Sequence, residues 1–66
     1  MTVSINGEDR DVALGTTVAD FLAARGMKPQ MVVVEYNRDI LQREQYDATT
    51  IKAGDTLEIV QMMAGG

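Results

Sequence analysis

Two consecutive glycines, Gly65 and Gly66, follow an apolar run at the end of the sequence. Glycine has no Cβ atom, so a pair of glycines forms a thin and pliable segment. If the chain ends at Gly66, this segment carries a carboxylate that is ionised at neutral pH, because terminal carboxyls titrate near ~3.5. A segment this thin can enter a channel too narrow for larger residues. The open alternative is a frayed terminus without a role.

The remaining composition offers few groups for independent chemistry. The sequence contains no cysteine and no histidine, which removes the thiolate nucleophile and the commonest general base. A chain of 66 residues forms one domain with a small core and no room for an enclosed active site. We therefore do not expect an autonomous enzyme, and we predict no bound metal or cofactor.

The charge balance also limits the classes of partner. Ten acidic and six basic residues give a net charge of −4, whereas nucleic-acid binding usually requires a basic surface. The acidity suits a protein with a basic docking surface, and a solvated surface explains it equally well. Residues 1–14 lack the basic start and apolar core of a signal peptide, and no stretch approaches the ~20 apolar residues of a membrane span. We expect a cytoplasmic protein that binds neither nucleic acid nor membrane.

The first part of the chain predicts a β-hairpin. Polar and apolar residues alternate over residues 2–5 and again over residues 10–14, which is the period of a half-buried strand. This alternation places Val12 and Leu14 on the same face. The pair Asn6-Gly7 favours a tight turn with positive φ, and the acidic residues after it can lengthen that turn.

A helix of about eight to ten residues is predicted next, from capping signals and apolar spacing. Thr16 or Thr17 can cap its N-terminus, and Asp20 gives an acidic relative of the capping box with Thr17. Gly26 is suited to end the helix. The residues expected to face the core recur at helical spacing: Val18, Phe21 and Leu22.

The second half of the chain predicts strands. Residues 32–36 are β-branched and aromatic, which is typical of a strand, and a polar turn leads from them to a short edge strand at Ile40-Leu41. Residues 43–46 favour a helical turn. Residues 56–62 form the last predicted strand, with alternating faces. Leu57 and Ile59 share one face of it, and the other face carries Glu58, Val60 and Met62.

The order hairpin, helix, strands indicates an α+β fold. A right-handed crossover through the helix allows the last strand to lie parallel beside the first. This arrangement is the β-grasp, or ubiquitin-like, fold: a small mixed sheet of four to five strands with one main helix packed on one face. We expect residues 1–63 to form this domain and residues 64–66 to form a flexible tail.

The outward face of the last strand is the candidate docking surface. Exposed apolar groups near a reactive tail can mark a partner site, and methionine adapts well to different partner shapes. Glu58, Val60 and Met62 are the expected contact residues. The alternative is that they are isolated exposed side chains, which are common on protein surfaces.

Several segments spread along the whole chain form an ordered set: Thr17-Val18 with Asp20-Phe21-Leu22, Val34-Glu35-Tyr36-Asn37 with Ile40, Arg43-Glu44-Gln45-Tyr46, Gly54-Asp55-Thr56-Leu57-Glu58-Ile59-Val60, and Gly65-Gly66. Together they resemble one family, the ThiS sulfur carriers of thiamine biosynthesis. Each segment alone is a weak signal, but their ordered combination in so short a chain is specific.

The resemblance implies a carrier cycle centred on Gly66. An adenylating enzyme similar to the ubiquitin-activating class, a ThiF-like protein, uses ATP to convert the Gly66 carboxylate to an acyl adenylate. A sulfur donor relay then replaces AMP and leaves a thiocarboxylate. A ThiG-like thiazole synthase receives the sulfur, while Ala64 and Gly65 serve as a slim tether.

Two alternatives remain open on the sequence. Related diglycine carriers supply sulfur for molybdopterin, for tRNA thiolation or for cysteine synthesis, and all of them share this tail. A non-covalent β-grasp interaction module, in which the glycines are incidental, belongs to a different class of function.

Overall fold

The structure is a computed structural model that describes residues 1–62. Two short 3₁₀ turns lie at Pro29–Met31 and Arg43–Gln45. The regular elements are β1 (Thr2–Ile5), β2 (Glu8–Asp11), α1 (Val18–Ala24), β3 (Val32–Tyr36), β4 (Asp39–Leu41) and β5 (Thr56–Gln61).

The strands form one mixed sheet in the order β2-β1-β5-β3-β4. The pair β1–β5 is parallel, and the pairs β1–β2, β3–β5 and β3–β4 are antiparallel. The helix lies between β2 and β3 in the chain and covers one face of the sheet. The predicted β-grasp arrangement is therefore confirmed, with five strands and with the last strand beside the first.

The core lies between the helix and the inner face of the sheet. Alternating strand residues and the apolar side of α1 fill it, as period-2 and helical spacing predict. Tyr46 and Ile51 add side chains from the segments between β4 and β5. The buried apolar residues are Val3, Ile5, Val12, Val18, Phe21, Leu22, Val32, Val34, Tyr46, Ile51, Leu57 and Ile59.

Both ends of α1 follow from local hydrogen bonding. Thr17 is the N-cap, since its hydroxyl accepts the N–H of Asp20 at 3.0 Å and the Asp20 carboxylate accepts the N–H of Thr17 at 3.3 Å. This reciprocal capping box was predicted. The helix has seven residues, fewer than predicted, because the chain leaves it at Arg25. Gly26 follows at φ +71°, the left-handed geometry that glycine adopts without strain.

The hairpin differs from its prediction in two respects. Ile5 pairs directly with Glu8, so the turn has only Asn6 and Gly7 at its centre, and Glu8 belongs to β2. The second difference concerns Leu14, which is 87% exposed, whereas Val12 is buried. The predicted shared face is wrong because β2 ends at Asp11, and the chain then turns through a loop.

Candidate functional site

The outer face of β5 carries the three predicted docking residues. Glu58, Val60 and Met62 alternate with the buried residues Leu57 and Ile59. Val60 is 62% exposed and Met62 is 47% exposed, so both apolar side chains are available to solvent. The predicted division of this strand into two faces is confirmed, and a role for its outer face in docking stays a prediction.

Two residues of neighbouring strands enlarge this apolar surface. Val33 lies directly opposite Val60 across the β3–β5 pair. Ile40 on β4 lies opposite Glu35, which shares the outer face. Val33 is 41% exposed and Ile40 is 59% exposed. Sequence reasoning missed both as site residues, because only the strand order brings β3 and β4 beside β5.

The same outer face is acidic. Glu35 and Glu58 lie directly opposite each other on this face. Nearer the β2 edge of the sheet, on the same face, Asp9 lies opposite Ser4 and Asp11 lies opposite Thr2. In strands β1 to β5 the one basic residue is Arg10, which lies opposite the buried Val3 and therefore on the inner side. These strands thus present carboxylates and apolar groups on one face, where the N-terminal ammonium of Met1 lies 2.9 Å from the Asp11 carboxylate.

A polar cluster fixes the start of β5. The Asp55 carboxylate accepts hydrogen bonds from the Tyr36 hydroxyl, from Asn37 Nδ2 at 3.1 Å and from the N–H of Lys52 at 2.7 Å. Asn37 in turn accepts the N–H of Thr56 through Oδ1 at 2.8 Å. We call Tyr36, Asn37, Lys52 and Asp55 the Asp55 cluster. It joins the β3–β4 turn to the strand that leads to the tail.

The hydrogen bonds of the Asp55 cluster perturb two ionisable groups. Three effects raise the pKa of Tyr36 to about 12: partial burial, which is the largest, the hydrogen bond to Asp55, and the negative charge of the Asp55 carboxylate. Partial burial pushes the pKa of Asp55 upward, but hydrogen bonds from Tyr36, Lys52 and Asn37 outweigh it and hold that pKa below its ordinary value. At neutral pH the pair is a phenol donating to a carboxylate. This charge state stabilises the cluster but does not supply a general base.

Asn6 makes the second polar connection to β5. Its Oδ1 accepts the N–H of Ile59 at 2.7 Å, and its Nδ2 donates to the carbonyl of Ile59 at 3.1 Å. The side-chain amide therefore occupies the place of a peptide group beside β5. Sequence reasoning identified Asn6 only as a turn residue, because its partner lies far away in the chain.

The predicted chemical residues lie beyond the described part of the chain. Gly66, with Gly65 and Ala64, falls after Met62, so the proposed modification site and the predicted boundary of the tail are outside the described residues. Residues 1–62 contain no group of three or more metal-ligating side chains placed to hold an ion. Within the same range, no helix has the length and apolar character needed to cross a membrane.

Comparisons with known proteins agree with one another. The family model described as "ThiS family" matches residues 3–66. A protein named "Sulfur carrier protein ThiS" from Bacillus subtilis is 32% identical over 65 residues, covering 97% of this chain and 98% of that protein. The crystal structure of the thiamine biosynthesis protein ThiS from Geobacter metallireducens superposes with a TM-score of 0.83, at 38% identity and full coverage of both chains.

Longer relatives match as well. A protein named "Thiazole synthase" from Magnetococcus marinus is 33% identical over 66 residues, which is 100% of this chain but 20% of that protein. The chain thus spans about a fifth of the length of the first curated relatives it matches. The family match covers nearly the whole chain, and the fold and a relative of equal length agree with it. This chain belongs to the ThiS family.

Proposed function

We propose that this chain is a sulfur carrier of thiamine biosynthesis, in which Gly66 holds the sulfur as a thiocarboxylate. The observation that carries the proposal is the end-to-end similarity to the Bacillus subtilis relative, which is named a sulfur carrier protein. In this proposal the protein is a cosubstrate that is charged, discharged and charged again by its partners in the cytoplasm.

The proposed chemistry requires help from a partner. A carboxylate is a poor acyl donor, because its negative charge repels nucleophiles and oxide is a poor leaving group. Attack of the Gly66 carboxylate on the α-phosphorus of ATP displaces pyrophosphate and forms an acyl adenylate, from which AMP can leave. Sulfide delivered by a sulfur donor relay then attacks the acyl carbon, AMP leaves, and a thiocarboxylate remains. The chain has no cysteine or histidine to activate the carboxylate itself, so a ThiF-like adenylating enzyme supplies ATP and the activating groups.

The proposed acceptor of the sulfur is a ThiG-like thiazole synthase. Two relatives named "Thiazole synthase" contain a region similar to this entire chain, which supports an association between the carrier domain and that enzyme. The four residues after Met62 reach about 14 Å when extended, at ~3.4 Å per residue. This reach allows the carboxylate to enter a partner pocket while the sheet remains outside it.

Intact mass spectrometry tests the carrier function. The chain is incubated with a ThiF-like enzyme, ATP and a sulfide source, and is then weighed. We expect a mass gain equal to the difference between sulfur and oxygen, located at Gly66 by fragmentation. A parallel reaction without ATP is the control and should show no gain. An unmodified chain in reactions that charge another ThiS protein would contradict the proposal.

A growth assay separates the proposed pathway from the related carriers. Deletion of the gene should cause a requirement for thiamine or its thiazole precursor. Growth without either compound would favour the alternative carriers for molybdopterin, tRNA thiolation or cysteine. The interaction-module alternative is tested by the chain extension described in the Discussion.

The outer face of β5 is the proposed docking surface for these partners. The substitution Val60→Asp places a carboxylate at the centre of the apolar surface beside Glu58. We expect at least a tenfold loss of affinity for the adenylating enzyme, corresponding to about 1.4 kcal/mol or more. Because Val60 is 62% exposed, the free energy of unfolding should fall by no more than about 1 kcal/mol.

Leu14→Asp is the matched control for this substitution. Leu14 is an exposed apolar residue outside the sheet, so the same change there should leave the affinity unaltered. Titration calorimetry and thermal unfolding of both variants provide the measurements. Equal affinity of the Val60→Asp and wild-type chains would place the docking surface elsewhere.

A further inference from the structure

Strands β1 and β5 overlap over only part of their length. They pair at Ser4 with Thr56 and at Ile5 with Leu57. β1 then ends at Ile5, whereas β5 continues to Gln61. On its other side β5 pairs with β3 over its whole second half, as far as Gln61 opposite Val32. The second half of β5 therefore has a strand partner on one side only.

The Asn6 side chain fills the first position of this gap. The main chain turns away here, with Asn6 at φ 53° and Gly7 at φ 81°. Both polar atoms of the Asn6 amide bind the main chain of Ile59, at 2.7 Å and 3.1 Å. Ile59 thus directs its N–H and carbonyl toward the side of β1, and both groups are satisfied there.

The next position of the gap is Gln61. Main-chain groups alternate between the two sides of a strand, so Gln61 directs its N–H and carbonyl to the same side as Ile59. The main-chain N–H of Met62 points to the opposite side of the strand, toward β3, since it donates to the carbonyl of Met31 at 2.7 Å. Within residues 1–62, no main-chain or side-chain group pairs with the N–H or carbonyl of Gln61 on the β1 side.

The outer edges of the sheet are protected, unlike this gap. β2 carries three acidic residues among its four, and β4 has only three residues. Charged and short edges resist the addition of another strand. Gln61 is uncharged and exposed. The open position at Gln61 is therefore the part of the described sheet best suited to receive an added strand.

We propose that the main-chain edge at Gln61 binds an extended segment of the adenylating partner, which adds to β5 in line with β1. This inference rests on the proposed carrier function, because the occupant is the enzyme that receives the tail. An extended peptide supplies both the acceptor for the N–H and the donor for the carbonyl, as in other cases of strand addition. Pairing at Gln61 would fix the direction in which the following residues leave the sheet.

Hydrogen exchange of the Gln61 amide tests the proposal without changing the sequence. In the free protein this amide should exchange rapidly, while the amides of Glu58 and Val60, which pair with β3, are protected. In complex with a ThiF-like enzyme and ATP, the Gln61 amide should slow at least ~10-fold, since a hydrogen-bonded amide must open before it exchanges. An unchanged rate in a complex that charges the chain would overturn the proposal.

Proline substitution provides a second test. Gln61→Pro removes the N–H that points into the gap and leaves the hydrogen bonds between β5 and β3 in place. We expect sulfur uptake at limiting enzyme to fall about five- to tenfold, the loss expected for one hydrogen bond. Asp9→Pro is the matched control, and it is compared with Asp9→Ala so that the loss of the outer-face carboxylate cancels. Asp9 lies opposite Ser4, whose N–H donates to the carbonyl of Asp55 at 2.9 Å, so the Asp9 N–H points away from β1 toward solvent.

The outcomes separate this proposal from the carrier function. Absence of sulfur on the wild-type chain would contradict the carrier function itself. Normal uptake by a folded Gln61→Pro chain would contradict only the strand addition. If Gln61→Pro lowers the thermal midpoint below that of Asp9→Pro, the hydrogen-exchange result decides alone.

Discussion

Extension of the chain beyond Gly66 by a single residue other than glycine should abolish sulfur uptake. The added residue converts the Gly66 carboxylate to an amide, which cannot attack ATP and therefore cannot form the acyl adenylate. The new terminal carboxylate also carries a side chain into a channel that we propose to admit only glycine. We expect no detectable mass gain after incubation with a ThiF-like enzyme, ATP and sulfide, under conditions that charge the unextended chain completely.

The control for this prediction is a cleavable extension. Cleavage directly after Gly66 should restore full uptake, which shows that the fold survived the extension. Gly65→Val keeps the carboxylate and adds only bulk beside it. We therefore expect a smaller loss of sulfur uptake from this variant than from the extension. Full activity of a permanently extended chain would favour the non-covalent interaction module, in which the glycines have no chemical role.

Replacement of Asp55 by alanine should cause the largest loss of stability among polar substitutions in residues 1–62. The Asp55 carboxylate accepts hydrogen bonds from the Tyr36 hydroxyl, from Asn37 and from the N–H of Lys52. A hydrogen bond to a charged group contributes about 1.5–3 kcal/mol, and a neutral one about 1 kcal/mol. We expect the free energy of unfolding to fall by about 3 kcal/mol, a large fraction of the ~5–15 kcal/mol of a small domain.

Urea unfolding of matched variants measures this effect. Tyr36→Phe removes one hydroxyl donor and should cost about 1 kcal/mol, whereas Asp55→Ala removes the acceptor shared by all three donors. Asp20→Ala is the control for the loss of one acidic residue elsewhere, because it affects only the cap of α1. A loss for Asp55→Ala no greater than that for Asp20→Ala would contradict a central role for the Asp55 cluster.

The Asp55 cluster also predicts how stability depends on pH. Folding lowers the pKa of Asp55 from 3.8, so the unfolded chain binds protons more readily in acid. The contribution of Asp55 to the free energy of unfolding is therefore complete above pH 3.8 and is lost as the pH falls through the lower pKa of the folded state. Folding raises the pKa of Tyr36 from 10.0 to about 12, so its contribution is complete below 10.0 and is lost toward 12. In the Tyr36→Phe variant, the free energy of unfolding should no longer fall between pH 10.0 and about 12.

Local sequence signals were sufficient for most of the fold. Alternation identified the two faces of β5, β-branched residues marked β3, and Thr17 with Asp20 marked the start of α1. These signals depend on neighbours within a few residues, where side-chain spacing and capping decide the structure. Leu14 shows the limit of the approach, because alternation in sequence continued after β2 had ended.

Features that depend on distant contacts could not be predicted. Val33 and Ile40 join the outer apolar surface only through the order of β5, β3 and β4. Asn6 was identified as a turn residue, yet its amide binds Ile59, which is 53 positions away in the chain. The role of Asp55 could not be inferred for the same reason, since Tyr36 and Asn37 are 19 and 18 positions away.

The opposed carboxylates of Glu35 and Glu58 give ionic strength two contrary effects on this protein. Like charges on facing strand positions destabilise the sheet, and dissolved ions screen that repulsion over distances near ~8 Å under physiological conditions. Salt therefore reduces the repulsion between these two strand positions. The same ions weaken the attraction between this acidic surface and a positively charged partner. Conditions that relieve the repulsion between Glu35 and Glu58 are thus those in which the domain docks most slowly onto any partner with a basic surface.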